Sequence, residues 1–205
     1  MDTHSEGRTS VDSKILAAIR DRGRGSVFVP ADFLELGSRE AVDTCLHRLA
    51  KAGIVRRLAR GLYDYPEVHP GLGPLQPTAE TIAAALAGRD RARIQPAGAY
   101  AANMLGLSEQ VPAKAVFLTD GASRSVKVGT TTIQLRRTTP RNMATAGRLS
   151  GLLIQALREI GQEHITSDRL RKLKKNIPIP QRKALLEDIP LAPAWMHSIF
   201  RDLAE

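Results

Sequence analysis

The sequence predicts an α+β protein in which three helices and a β-hairpin form an N-terminal unit. A mixed C-terminal domain follows, with helices around a small antiparallel sheet, ending in helices. Three observations lead there. Between Ser38 and Tyr65 an amphipathic helix with both ends marked runs directly into a basic hairpin. Between Pro66 and Pro77 proline and glycine crowd together, as in a linker. Between Ala115 and Leu135 short β-type runs alternate with turn residues, and from Leu149 the spacing of apolar residues is helical again.

Met1 to Ser10 is polar, an arm whose one cation, Arg8, could touch a minor groove but is more simply part of a plain tail. Ile15, Leu16 and Ile19 fall at helical spacing from Ser13, with Val11 extending the face and Gly23 and Gly25 stopping it. Val27 to Val29 reads as extended, and Pro30 opens a short helix through Phe33, Leu34 and Leu36. Gly37 closes it and Ser38 caps the next helix, whose inner face is Val42, Cys45, Leu46 and Leu49 and whose end is Gly53. One helix ending, a tight Gly-Ser turn and a second, amphipathic helix make the pattern of a helix-turn-helix. Ile54 to Leu58 and Leu62 to Tyr65, joined by Ala59-Arg60-Gly61, add a wing. The first domain is thus 11–66, a winged helix-turn-helix, and the second 77–205.

In such a unit the exposed helix face enters the major groove and the hairpin grips phosphate. The residues expected to face DNA are Ser38, Arg39, Thr44, His47, Arg48 and Lys51 on the helix and Arg56, Arg57 and Arg60 on the wing. Arg39 is the natural reader of guanine. Glu40 and Asp43 lie on or near the same face, where a carboxylate repels phosphate unless it accepts from cytosine or pairs with a neighbour such as Arg39. Ordinary solvated helix charges and a protected strand edge are the plainer explanations of the same residues.

In the second domain Thr78 caps an alanine-rich helix ending at Gly88, and Ala92 to Gln95 is extended. Ala99 to Leu105 is helical up to Gly106. Ala115 to Thr119 forms a strand ending in an Asp120-Gly121 turn, and a hairpin turns at Gly129-Thr130. Leu149, Leu152, Leu153, Ala156, Leu157 and Ile160 give a broad apolar helix face. Ser167 to Lys175 is a basic helix, and after Pro178 and Pro180 short helices follow around Lys183 to Leu186 and Trp195 to Leu203.

Charge narrows the function. The chain has 30 basic and 21 acidic residues, a net +9, which favours a polyanionic partner. From Arg136 to Lys183 twelve Lys or Arg face three acidic residues, whereas residues 1–66 have eleven against nine. The strongest field therefore lies away from the expected reading head. Arg136, Arg137, Arg141, Arg169, Arg171, Lys172, Lys174 and Lys175 form a basic surface for DNA or for an acidic protein, with solubility a weaker explanation of such clustering. With aromatics at 4%, stacking on unpaired bases is poorly supported and duplex DNA is the better target.

Catalysis finds little support. Gly23-Arg24-Gly25 and Gly71-Leu72-Gly73 lack the third glycine and the setting of a dinucleotide loop, and no Walker lysine pattern exists. His4, His47, His69, His164 and His197 are scattered, no serine stands in a nucleophile elbow, and Asp120 reads as a turn residue. Cys45 alone can form neither an internal disulfide nor a multi-cysteine zinc site, and is expected in the core. No cofactor or metal is expected. Absence of a membrane-length apolar run and of an apolar signal core leads us to expect a cytoplasmic protein.

Ala50-Lys51-Ala52-Gly53-Ile54-Val55-Arg56-Arg57-Leu58-Ala59-Arg60-Gly61-Leu62-Tyr63, then Gly98-Ala99-Tyr100-Ala101-Ala102-Asn103-Met104-Leu105-Gly106-Leu107 and Val116-Phe117-Leu118-Thr119-Asp120-Gly121, resemble the AbiEi-type antitoxins of bacterial toxin-antitoxin systems. The resemblance spans about residues 13 to 160; the first motif is moderately specific, the three in order more so. It implies a winged helix that represses its own operon at inverted repeats of double-stranded operator DNA, with a dimer as one way to bind them. It also implies a C-terminal domain that antagonises a cognate nucleotidyltransferase-type toxin. The basic stretch after Arg169 matches no motif of that family. Two alternatives stay open: a toxin-binding module with no DNA role, and a generic winged-helix regulator, which would need a ligand pocket.

Overall fold

The computed structural model describes residues 10–88 and 90–205, so the expected arm and Arg8 lie outside the described residues. The chain is α+β and forms two compact units, Met1–Arg89 and Asp90–Glu205.

The first unit begins with α1 (Val11–Asp21), where the Ser10 hydroxyl accepts from the Ser13 N–H at 3.2 Å. The helix thus includes Val11, the residue expected to extend its apolar face, since a serine at the cap satisfies a backbone donor left open in the first turn. The expected helix after Pro30 is a single 3-10 turn, Pro30–Phe33. Here Asp32 accepts from the Val29 N–H at 3.1 Å and pairs with Arg22 at 2.9 Å, which tightens the turn. Helix α2 (Arg39–Lys51) is capped by Ser38, which accepts from the Ala41 N–H at 3.3 Å. Strands β1 (Val27–Phe28), β2 (Arg56–Ala59) and β3 (Leu62–Asp64) pair antiparallel in the order β1-β3-β2. All three residues of central β3 are buried. At the β2–β3 turn Gly61 has a φ of +70°, a region open to glycine without a Cβ penalty.

Ile15 and Ile19 of α1, Val42, Cys45 and Leu46 of α2, and Phe28, Phe33, Val55 and Tyr63 make one buried cluster. Phe28 meets Phe33 edge-on at 5.4 Å and stacks on Tyr63 at 6.4 Å. Each such side chain taken from water stabilises the unit by roughly 1.5–3 kcal/mol. This core holds α2 with one face turned to solvent.

Two expectations about the boundary are corrected. The stretch expected as a linker forms a small hairpin of β4 (Val68–His69) and β5 (Gly73–Pro74). Two arginines of the first unit tie it down: Arg56 of β2 donates to the Leu75 carbonyl at 2.7 Å and Arg24, before β1, to the Pro66 carbonyl at 3.0 Å. Proline and glycine here make a tight turn between tethered ends. Helix α3 (Ala79–Gly88), expected in the second domain, packs on β1 and belongs to the first unit, so the division falls after the helix and not before it.

The second unit is built on a four-stranded sheet in the order β6-β7-β9-β8: β6 (Ile94–Ala97), β7 (Lys114–Thr119), β8 (Arg124–Val128) and β9 (Thr131–Arg137). Its pairs are antiparallel except β7 with β9, which is parallel. The hairpin β8–β9 folds back so that β9, the longer arm and the one with two buried residues against one, takes the place beside β7. Pro96 lies in edge strand β6, where a missing N–H costs no ladder bond on the open side.

Helices α4 (Gly98–Met104) and α6 (Leu149–Ile160) pack together, and α6 lies against β6. Short α5 (Pro140–Met143) leans on β7. The C-terminal helices α7 (Ser167–Asn176), α8 (Ile179–Arg182), α9 (Ala184–Glu187) and α10 (His197–Ala204) complete a second core in which Leu153, Leu157, Leu173, Leu185, Phe200 and Leu203 are buried. Buried Asp188 fastens this layer to α6 by accepting from the Ser150 hydroxyl and from Arg148.

Candidate nucleic-acid interface

Helix α2 presents the expected face. Val42, Cys45 and Leu46 are buried, while Arg39, Thr44, His47, Arg48 and Lys51 are exposed, as the 3.6-residue period requires. Ser38 stands at its N-terminus. The face is mixed in charge and its cations are partly engaged. Arg39 donates to Asp43 at 2.9 Å, one turn along, and Arg48 pairs with Asp12 of α1 at 2.8 Å. Both pairs are well exposed, so they hold orientation more than they add stability.

Of the three hairpin arginines, two face solvent. Arg57 and Arg60 are exposed, Arg57 making only a long bond to the Ala59 carbonyl at 3.4 Å. Arg56 is directed inward. Its Nε and Nη2 bond the Asp64 carboxylate at 3.1 and 2.5 Å, and Asp64 is 1% exposed. Arg56 is thus a structural residue of the hairpin, and sequence spacing missed this because Asp64 reads as an ordinary polar strand residue. Arg22 and Arg24 are also engaged, lying over the rings of Phe33 and Tyr65 at 4.8 and 4.7 Å.

The expected basic surface of the second unit draws on α7 and on the end of β9 with α5. On α7, Arg171 pairs with Asp168 at 2.8 Å, Lys172 approaches Glu109 at 3.7 Å, and Arg169 donates to the His164 carbonyl at 2.5 Å. Lys174 is half-buried and its carbonyl accepts from Arg182, while Lys175 is exposed. Arg136 and Arg137 lie at the end of β9 and Arg141 in α5. Arg136 lines a cleft with Arg158, and Arg141 an adjoining one that Arg158 also borders. Arg158 was missed as a site residue. The signal was Gln155, a polar residue inside the apolar run of α6, on the same side as Arg158 and Glu159.

Asp120 serves its turn. Its carboxylate accepts from the Arg93 N–H and from Arg93 Nε, both at 2.8 Å, and the Arg93 side chain holds it below the usual aspartate range. Burial, with Asp12 nearby, pushes the Cys45 thiol up to about 11, so it is protonated at neutral pH. Among the described residues no group of His, Cys, Asp and Glu is placed to hold a metal ion, and no helix is long and apolar enough to cross a membrane.

A family model described as "Family of unknown function (DUF6088)" matches residues 14–184, most of the chain. The chain belongs to this family. The DUF6088 match runs from α1 to the start of α9 and so takes in both units, the α2 face, the hairpin and every candidate basic residue. No curated protein matches the chain.

Proposed function

We propose that this DUF6088 member is a DNA-binding autorepressor and antitoxin of the AbiEi type, its first unit a winged helix-turn-helix. The observation on which the reading rests is the exposed face of α2, capped by Ser38 and followed directly by a hairpin whose exposed arginines are Arg57 and Arg60. Thr44 and His47 are the base-edge contacts of this reading, Lys51, Arg57 and Arg60 the phosphate contacts, and Arg39 reads a base after exchanging Asp43 for guanine. The antitoxin half rests on the sequence resemblance in the second unit, with the product of a neighbouring nucleotidyltransferase-type gene as partner.

The test is binding of the full chain to duplex DNA from upstream of its own gene, followed by fluorescence anisotropy at several salt concentrations. Specific binding that weakens steeply with salt, and more than tenfold in an Arg57→Ala/Arg60→Ala double variant, is the expected result. Affinity that ignores salt and both substitutions overturns the DNA half. Growth rescue on co-expression with the adjacent gene's toxic product tests the other half, and no rescue by the full chain overturns it.

A further inference from the structure

One cleft in the second unit is explained by neither half of that reading. It opens between the end of β9, α5 and the last turns of α6, with a volume of about 390 Å³, within the usual size of a small-ligand site. Its wall is polar and divided in charge. Arg136 and Arg158 stand on it with no carboxylate partner among the described residues, and Glu159 stands there with no cation. Arg158 donates to Asn142 Oδ1 at 3.2 Å, and Asn142 Nδ2 donates to Thr138 Oγ1 at 2.9 Å. Two neighbours on the wall therefore hold the guanidinium in place. Thr138 already accepts, so its O–H is left to donate.

Gln155 is the second sign of a ligand. It is 8% exposed, its side-chain amide makes no hydrogen bond to any described residue, and it borders both this cleft and its neighbour. No side-chain polar atom among the described residues is both buried and without a partner, so the Gln155 amide meets solvent in the cleft and is open to a bound polar molecule.

We propose that this cleft binds a small phosphorylated polyol, a sugar phosphate or a nucleoside monophosphate. Arg136 and Arg158 take the phosphate as planar forks, with Thr138 and Gln155 donating to its remaining oxygens. Glu159 accepts from the hydroxyls. A carboxylate in the same cleft opposes a continuous phosphodiester chain, which would lay a second phosphate against it, and selects a ligand with one anionic end and one hydrogen-bond-donating end.

Isothermal titration of the full chain with adenosine 5′-monophosphate, ribose 5-phosphate and inorganic phosphate tests the site. Saturable binding of either organic phosphate is expected, weakened at least tenfold by Arg158→Gln and by Arg136→Gln, and unchanged by Arg171→Gln on α7. Glu159→Gln should weaken the organic phosphates several-fold and leave inorganic phosphate unaffected. A clear preference for the nucleotide assigns the ligand as a nucleotide, and equal affinities assign it as a sugar phosphate. The proposal is overturned if neither organic phosphate binds, if Arg171→Gln weakens binding as much as Arg158→Gln, or if a short oligonucleotide displaces the monophosphate at lower concentration.

Discussion

Arg56 and Asp64 face each other across the β2–β3 hairpin and form a two-point ion pair, at 3.1 and 2.5 Å, around a carboxylate that is 1% exposed. A third bond from Arg56 to the Leu75 carbonyl ties the following hairpin to the same point. Removing the arginine strands a buried charge, which costs about 3 kcal/mol. Arg56→Ala should therefore lower unfolding free energy by that order in urea titration. Arg57→Ala and Arg60→Ala should stay within about 0.5 kcal/mol of the parent, as substitutions of exposed residues do. Arg56→Lys should recover only part of the loss, because an ammonium cannot reproduce the planar fork.

The Arg39–Asp43 pair sets up a second prediction, conditional on the DNA reading. Asp43 is exposed on the candidate reading face, where it holds Arg39 at 2.9 Å and adds a negative charge facing phosphate. Asp43→Asn should raise affinity for nonspecific duplex DNA several-fold at low salt, and the gain should shrink as salt is added. Unchanged or weaker nonspecific binding would place Asp43 away from the DNA.

These two pairs mark where sequence reading stopped. Periodicity was enough for the inner face of α2, because Val42, Cys45 and Leu46 repeat at the helical period, and for the β8–β9 hairpin, because Gly129-Thr130 separates alternating runs. It could not say that Arg56 turns inward while Arg57 turns out, since that depends on the sheet partner and on the irregularity between Arg57 and Ala59. Nor could it find the cleft, whose Arg136, Asn142 and Arg158 lie on three elements. The linker expectation failed on tertiary contacts: composition alone does not reveal that Arg24 and Arg56 fasten the Pro66–Leu75 stretch.

Cys45 should be inert while the first unit is folded. The thiol is 1% exposed and its titration is pushed from 9.0 to about 11, so little of the reactive thiolate exists at neutral pH. Labelling with a thiol-specific disulfide at pH 7.5 should be slow and should accelerate in denaturant to the rate of a free cysteine. Because the folded-state value is raised, the contribution of this group to stability is complete below pH 9.0 and is lost as pH rises from there through about 11. Cys45→Ala should flatten that part of the alkaline stability profile.

Gly151 and Gly88 should respond in opposite directions to the same substitution. Both lie in helices, where alanine is favoured over glycine by about 1 kcal/mol. At Gly151 a Cβ would collide with the Thr145 carbonyl and the Gln95 amide, and Gln95 is itself fixed by accepting from the Gly147 N–H at 3.2 Å. That backbone cannot move without disturbing the approach of α6 to β6, so overpacking outweighs propensity. Gly151→Ala should destabilise the second unit by about 2 kcal/mol. At Gly88, the last residue of α3, nothing lies within 4 Å of the added methyl and φ is not positive. Gly88→Ala should leave stability unchanged or raise it by about 0.5 kcal/mol. Thermal unfolding of the two variants beside the parent checks the contrast, and a Gly151→Ala protein as stable as the parent would show that α6 has room to withdraw from the sheet.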